Sequence, residues 1–491
     1  MGDEGVQFPQ HDGQRSTQRT GRDVFAHAAA AVDADLADSI RDERRWRTAY
    51  PAHLRRLTAR VAASPQAEVS VARAGLERIH ATFELTSVGT TRQLADAIEV
   101  APQPALTTRT VPGDSTPPDG LVIPYRGDRL RGDALLRTAA GWSQRGIVEP
   151  AVVTALTRLV NEPKWLDMSD TWFAVLGAGA EMAPTERLLA WGADVIAVDL
   201  PRVEIWRRLE DLASRGAGRL HVPVDEGAKH PLGVDLIADA PRILAWLATF
   251  DHPLVIGNYA YADGVTFARL SVAADAVCAA LRRRRNDIAV ACLATPTDAF
   301  AVPAQVVQQT RERLGRPGFI ARCVHRTSAG RLLVPNYRET IRTDGGEELG
   351  LADSLVLQQG PNYALAKRLQ SWRAIVTHAD GAFAAIHIAP PTRTRSVLKS
   401  RVLAAAYAGA PMFGIETFEP ATSRALMAAL LVHDLRTHQA APPEDRPVAE
   451  HRLTAAAAHG GLWRVVWEPR TALPLAVLRG APALLRSFCP A

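Results

Sequence analysis

The sequence predicts an α/β chain built on a doubly wound parallel sheet, with an N-terminal helical extension and an insertion after the fifth strand. Three observations predict it. Short apolar runs alternate with helical patterns over residues 170–435. The run 173–176 leads straight into Gly177-Ala178-Gly179, a turn with no Cβ in its way. The next run, 193–198, ends at Asp199, which lies 20 residues beyond Gly179. That is the spacing at which a dinucleotide-binding unit places the acid for a ribose.

In such a Rossmann-type unit, backbone N–H groups and the positive end of the following helix hold a pyrophosphate. Gly177 and Gly179 are therefore expected against the cofactor, and Asp199 against its ribose. The third glycine position of G-x-G-x-x-G is Met182, followed by Ala183. Pro184 suits a first helical turn, where a missing N–H costs nothing. Residues 186–191 give a short helix face that Gly192 stops. A strand–turn–helix that binds nothing fits the same segment. So does a methyltransferase, against which the later motifs argue.

The other elements follow in order. Residues 1–22 are polar and expected to be a disordered tail. Residues 23–165 read as a helical extension on one face of the main domain, with a Pro-rich linker at 102–120, a short strand at 121–124, and helices at 132–142 and 150–160. The main domain is expected over 166–439. Its helices fall at 203–213, 241–250 and 270–282, the last ending in Arg282–Arg285, cations suited to the negative end of a helix. Strands at 220–224, 254–257 and 288–293 end at Asp225, Asn258 and Thr295-Pro296-Thr297. The insertion, 300–360, is expected to hold a helix at 305–314, strands at 319–324 and 331–334, and a turn at Asp344-Gly345-Gly346. A helix at 362–372, a sixth strand at 382–388 and helices at 400–408 and 421–433 complete the domain. Residues 440–491 form a C-terminal tail whose first part is rich in Pro and charge.

Composition narrows the function classes. Apolar residues make up 47% of 491, enough for a sizeable core. Fifty-seven basic residues face 52 acidic ones, a balance that gives no reason to expect nucleic acid. The four cysteines form no C-x-x-C pair, so no structural metal is expected. Few thiols and no apolar stretch near the N-terminus point to a reducing, cytoplasmic setting. No run of 18 apolar residues exists, so no spanning helix is expected.

The second chemical signal is Tyr363 with Lys367. At i and i+4 on a helix they share a face. An ammonium beside a phenol lowers the phenol pKa, so the pair can move a hydroxyl proton while a nicotinamide carries a hydride. Taken together, these residues make the chain resemble the short-chain dehydrogenase/reductase family over about residues 170–435. Gly177 matches the opening of the family's glycine-rich turn, and Asp199 the end of its second strand. Asp225 matches the Asp near the adenine, and Asn258-Tyr259-Ala260-Tyr261 the Asn-Asn-Ala-Gly after the fourth strand. Tyr363 and Lys367 match Y-x-x-x-K, and Pro390-Pro391-Thr392 the Pro-Gly and the Thr that contacts the nicotinamide carboxamide. The resemblance implies NAD or NADP as cofactor and a small-molecule carbonyl or alcohol as substrate. Asp199 favours NAD, since a carboxylate repels a 2′-phosphate, and Arg202 close by softens the preference.

The chain also departs from the family pattern. Glu181 and Ala183 stand where it has glycines. Its catalytic Ser has no clear match: Ser354 is one candidate, and Thr295 and Thr297, at the end of the fifth strand, are better placed beside Tyr363. A catalytically degenerate dinucleotide-binding scaffold is the alternative reading. Thr392-Arg393-Thr394-Arg395-Ser396 could clamp a phosphate. His378, His387, His433 and His438 have no carboxylate at ligand spacing and read as scattered histidines. The tail from Gly461 mixes Trp, Arg and aliphatic residues, with Pro469, Pro474 and Pro482 expected to cut it into short pieces. It is expected to cap an apolar face of the main domain or of a second copy in a homo-oligomer, with a membrane surface as the other partner it would suit.

Overall fold

The computed structural model describes residues 4–100, 105–315, 318–441 and 455–488. Seven strands form the central sheet: β1 (Thr107–Pro112), β2 (Trp172–Leu176), β3 (Asp194–Val198), β4 (Arg219–Val224), β5 (Leu254–Asn258), β6 (Ile288–Ala294) and β7 (Ala384–Ile388). Their spatial order is β7-β6-β5-β2-β3-β4-β1. Strands β2 to β7 pair in parallel, and β1 runs antiparallel to β4. The order reverses between β2 and β5, where Leu176 and Asn258 stand opposite each other at the carboxyl ends. Open sheets of this kind leave a crevice for ligands at such a switch point.

The six parallel strands are the apolar runs seen in the sequence, because a strand covered on both faces needs apolar residues at every position. Ala174, Leu176, Ile196 and Ile256 face one core, while Phe173, Val175, Val195 and Val255 face the other. The first core continues through the helices Gly264–Arg284 and Pro361–Ala379 to the N-terminal helices Thr17–Ala30, Trp46–Val61 and Pro65–Thr82. Phe25 touches both Trp46 and Trp372 there. A Cβ on Gly75 would meet the Trp372 ring at 2.4 Å, so this helix pair needs glycine. The second core takes in Gly132–Arg145, Pro150–Asn161 and Pro420–Ala440. The N-terminal part therefore covers both faces of the sheet, where one was expected, and β1 lies on the edge between them.

Several expectations are corrected. Residues 4–22, expected to be disordered, are ordered: Gly5–Gln7 pairs with Glu84–Ser87, Val6 donates to Ile237 O at 2.9 Å, and Arg269 Nε donates to Val6 O at 2.6 Å. Each of these bonds uses the main chain of the segment, to which composition is blind. Within the expected linker, Thr107–Pro112 is β1; its threonines and valine suit an edge strand, where proline is tolerated. Residues 319–324, expected to be a strand, begin the helix Phe319–Thr327. Residues 331–334 form no strand; the insertion's sheet is Ala299–Pro303, Glu348–Asp353 and Thr340–Arg342. Gly264–Arg284 is long and apolar enough to cross a membrane by length and composition, although no spanning helix was expected; 78% of its apolar window is buried here.

The tail is also more deeply placed than a surface cap. His459 and Trp463 are fully buried, and Tyr337 donates its hydroxyl to Trp463 O at 2.7 Å. The helix Pro469–Phe488 passes through Pro474 and Pro482 without a break. It crosses Arg401–Gly409 so closely that a Cβ on Gly409 or Gly480 would strike the backbone of Ala476 or Ala405 at 1.9 Å. Most of the Pro- and charge-rich run 440–450 lies outside the described residues, as do Pro102 and Pro104 of the expected linker.

Candidate functional site

The glycine turn closes the carboxyl end of β2. Gly177 has φ +80°, and a Cβ on it would sit 2.4 Å from Ala260 Cα, so the loop after β5 fills the space a side chain would take. Gly179 donates its N–H to Asp199 Oδ2 at 2.7 Å, and Leu200 donates to Oδ1 at 2.8 Å. Burial pushes the Asp199 carboxyl above its ordinary range, with these two N–H bonds opposing the shift. Gly177, Gly179 and Asp199 thus meet at one place, as the spacing predicts. The expected helix end does not. The helix Thr185–Ala190 has only 6 residues and begins after Pro184, because residues 180–183 turn first and Thr185 Oγ1 bonds back to Ala178 O at 2.7 Å.

Glu181, at a family glycine position, points away from the turn. Arg395 donates its backbone N–H to Glu181 Oε2 at 2.9 Å, and Arg424 Nη1 donates to Glu181 O at 3.1 Å. The basic turn after β7 is therefore engaged within the protein: Arg395 faces Glu181 and Arg393 lies 3.6 Å from Glu419. Asp225 pairs with Arg242 at 2.7 Å, which holds its carboxyl below the ordinary range. The Thr392 hydroxyl is buried and bonds Pro390 O and Ser423 Oγ, each at 2.7 Å. Asn258 differs from these. It stands at the switch point with its side-chain Oδ1 buried and without a hydrogen-bond partner.

The second cluster lies at the carboxyl end of β6. Pro361 opens the helix Pro361–Ala379, which places Tyr363 in its first turn and Lys367 one turn on. Thr295 lies close enough to the Tyr363 side chain to pull its phenol pKa down. Thr295 Oγ1 lies 2.8 Å from Thr297 Oγ1, to which Gln359 donates. Ser354 Oγ is buried with no hydrogen-bond partner, so it is not the group on Tyr363. Lys367 Nζ donates to Leu293 O at 2.9 Å and Gln370 Oε1 at 3.0 Å. It lies 5.6 Å from the Phe267 ring centroid, and that ring packs on Tyr363 at 5.5 Å.

The electrostatics differ from the expected pairing. Burial pushes the Tyr363 phenol up, Thr295 pulls it down, and the Asp298 charge pushes it up again. Lys367 is aimed at the Leu293 carbonyl and does not lower the phenol; burial brings Lys367 itself down to about 8. The site is built for a phenol that keeps its proton at neutral pH. Sequence reasoning missed Gln359, Phe267 and Asp298. Tyr261 and Tyr407 also couple to the Tyr363 charge. The signal available for Tyr261 was its place just past β5. The histidine reading is corrected as well: Asp434 sits 3.0 Å from His387 and 2.9 Å from His433, so the carboxylate partner exists but adjoins only one of them in sequence.

No protein-family model matches the chain, and no curated protein matches it.

Proposed function

We propose that the chain is an NAD(P)-dependent oxidoreductase of the short-chain dehydrogenase/reductase type, acting on a carbonyl or alcohol. The observation that carries this reading is the place of Tyr363 beside Thr295 at the carboxyl end of β6, where Thr295 draws the phenol pKa down. It lies on the same sheet edge as the unit of Gly179 and Asp199. The parallel strands, counted from β2, run in the order third, second, first, fourth, fifth, sixth, the order of dinucleotide-binding sheets.

The residues present suit the adenosine half of the cofactor. Each Asp199 oxygen accepts one backbone N–H, and a carboxylate oxygen has a second lone pair for a ribose hydroxyl. NAD is favoured over NADP by that charge. Asn258 Oδ1, buried and unpartnered, is an acceptor that a ligand in the crevice would satisfy. A bound nicotinamide supplies or takes the hydride. Tyr363 gives its hydroxyl proton to the substrate oxygen in reduction and takes it back in oxidation. Thr295 orients that hydroxyl, and Thr297 with Gln359 orients Thr295. Lys367, charged below about pH 8, sits one turn behind and is held on Leu293 O and Gln370 Oε1.

The test is NADH titration by fluorescence, then NADH oxidation against a panel of aldehydes and ketones. Binding with turnover that Tyr363→Phe removes supports the proposal; no NADH binding overturns it. A second reading, a catalytically silent dinucleotide-binding protein, is favoured by the internal partners of Glu181, Asp225 and Thr392. That reading predicts NADH binding, no turnover, and no effect of Tyr363→Phe.

A further inference from the structure

Away from the sheet edge, the N-terminal helices and the helix Pro361–Ala379 enclose a cavity of about 420 Å³, within the size range of small-molecule sites. Leu57, Val61, Val71, Phe300, Trp372 and Ile375 line much of it. Arg368, Ser371, Trp372 and Ile375 of that helix line it, while Tyr363, Lys367 and Asn258 do not. The cavity is thus separate from the crevice at the switch point.

Its charges do not balance. Arg368 is spent, donating to Asp298 Oδ1 at 2.7 Å, Thr58 Oγ1 at 3.0 Å and Ala299 O at 3.2 Å. That pairing cancels Asp298. Glu68 also lines the cavity, and its carboxyl group has no hydrogen-bond or ion-pair partner among the described residues. The other charged groups facing it are Asp344 and Glu347, on a loop tied to the helix end by a bond from Asp344 N–H to Ala63 O at 3.0 Å. The charge left without a partner is the Glu68 carboxyl, and the walls are largely aliphatic and aromatic.

We propose that this cavity binds a primary amine with an apolar body, its ammonium paired with Glu68 and its body against Trp372 and Phe300. A cation gains from Glu68 and from the indole and phenyl faces, while a carboxylate ligand would meet Glu68 and Asp344 as like charges. Burial pushes the Glu68 carboxyl up to about 7, with Arg368 pulling the other way. An ammonium beside it would restore the carboxylate, so amine binding strengthens as pH rises through that value.

Isothermal titration of the full-length protein with 2-phenylethylamine and hexylamine, against 2-phenylethanol and 3-phenylpropionate, tests this. The amines should bind and the alcohol and acid should not. Affinity for the amines should rise roughly tenfold from pH 6 to pH 8 as Glu68 ionises. Glu68→Gln should abolish binding, and Ser371→Phe, which fills the space and leaves the charge, should abolish it too, with circular dichroism showing both variants folded. Equal binding of the alcohol or the acid, retention in Glu68→Gln, or no amine binding at millimolar concentration would each overturn the proposal.

Discussion

Gly179 gives its backbone N–H to Asp199 Oδ2 at 2.7 Å, so the glycine turn and the acid at the end of β3 form one hydrogen-bonded unit. On the proposed reading, Asp199→Ala removes the ribose acceptor and releases that N–H together. NADH affinity should fall by about 1–3 kcal/mol, the scale for hydrogen bonds to a charged group. Asp199→Asn keeps the shape without the charge and should fall in between. An unchanged dissociation constant for the alanine variant removes Asp199 from the ribose role.

Tyr363→Phe should lower kcat by about 10²–10⁴-fold, the range for one general acid, with NADH affinity unchanged. Thr295→Ala should act through Tyr363. Losing the Thr295 hydroxyl, which draws the phenol pKa down, raises that pKa further, so the alkaline limb of the reduction profile should move to higher pH. A profile that stays in place would make Thr295 a packing residue.

Lys367 links stability to pH. Its ordinary pKa of 10.5 falls to about 8 through burial, so between those values the unfolded chain binds more protons and stability rises with pH. Below about pH 8 the cost of burying the charge is fully present. Lys367→Met should therefore raise stability near neutral pH by about 1–3 kcal/mol and flatten the rise between pH 8 and 10.5. Urea denaturation across that range reads both effects; a flat wild-type curve would contradict them.

Glu149 holds the tail. His459 lies 2.8 Å from it and Arg464 makes a two-pronged pair with it, all three groups buried. Burial alone would push the Glu149 carboxyl up, but these bonds prevail and hold it at about 2. The stabilisation is present above the ordinary value near 4.5 and is lost as pH falls from there towards 2. Glu149→Ala leaves a buried arginine unpaired and should cost about 3–5 kcal/mol. Since Trp463 is fully buried, the intact protein should not float with anionic liposomes; flotation that truncation near His459 abolishes would show the tail at a membrane.

What could be read from the sequence was what shows in side-chain pattern. Phe173–Leu176, the glycines and Asp199 announced themselves because a doubly covered strand is apolar throughout and a tight turn needs glycine. Thr295 could be placed beside Tyr363 from chain order alone, despite the insertion between them. Interactions made by backbone left no such trace, as with Gly5–Gln7 against Glu84–Ser87. Phe319–Thr327 was misread because a short apolar run suits either element, although Phe319, Cys323 and Thr327 keep helical spacing. The partner of Glu181 was hidden for another reason: Arg395 lies on the far side of the domain in sequence, and nothing local marks a pair that only the fold brings together.

One border of the parallel strands is closed, and the other is tied at its end, by chain that lies outside them. On one side β1 pairs with β4 along its whole length. On the other, Ala458 donates to Ile388 O at the end of β7 at 3.1 Å. An unpaired border is a template for joining another chain. The two guards differ in timing during synthesis. β1 emerges from the ribosome ahead of the strand it protects, so β4 is covered as it forms. Ala458 emerges well after β7, so every nascent chain passes through an interval in which the end of that strand is untied. Truncations or stalled products ending between β7 and Ala458 are therefore the species of this protein most prone to aggregate.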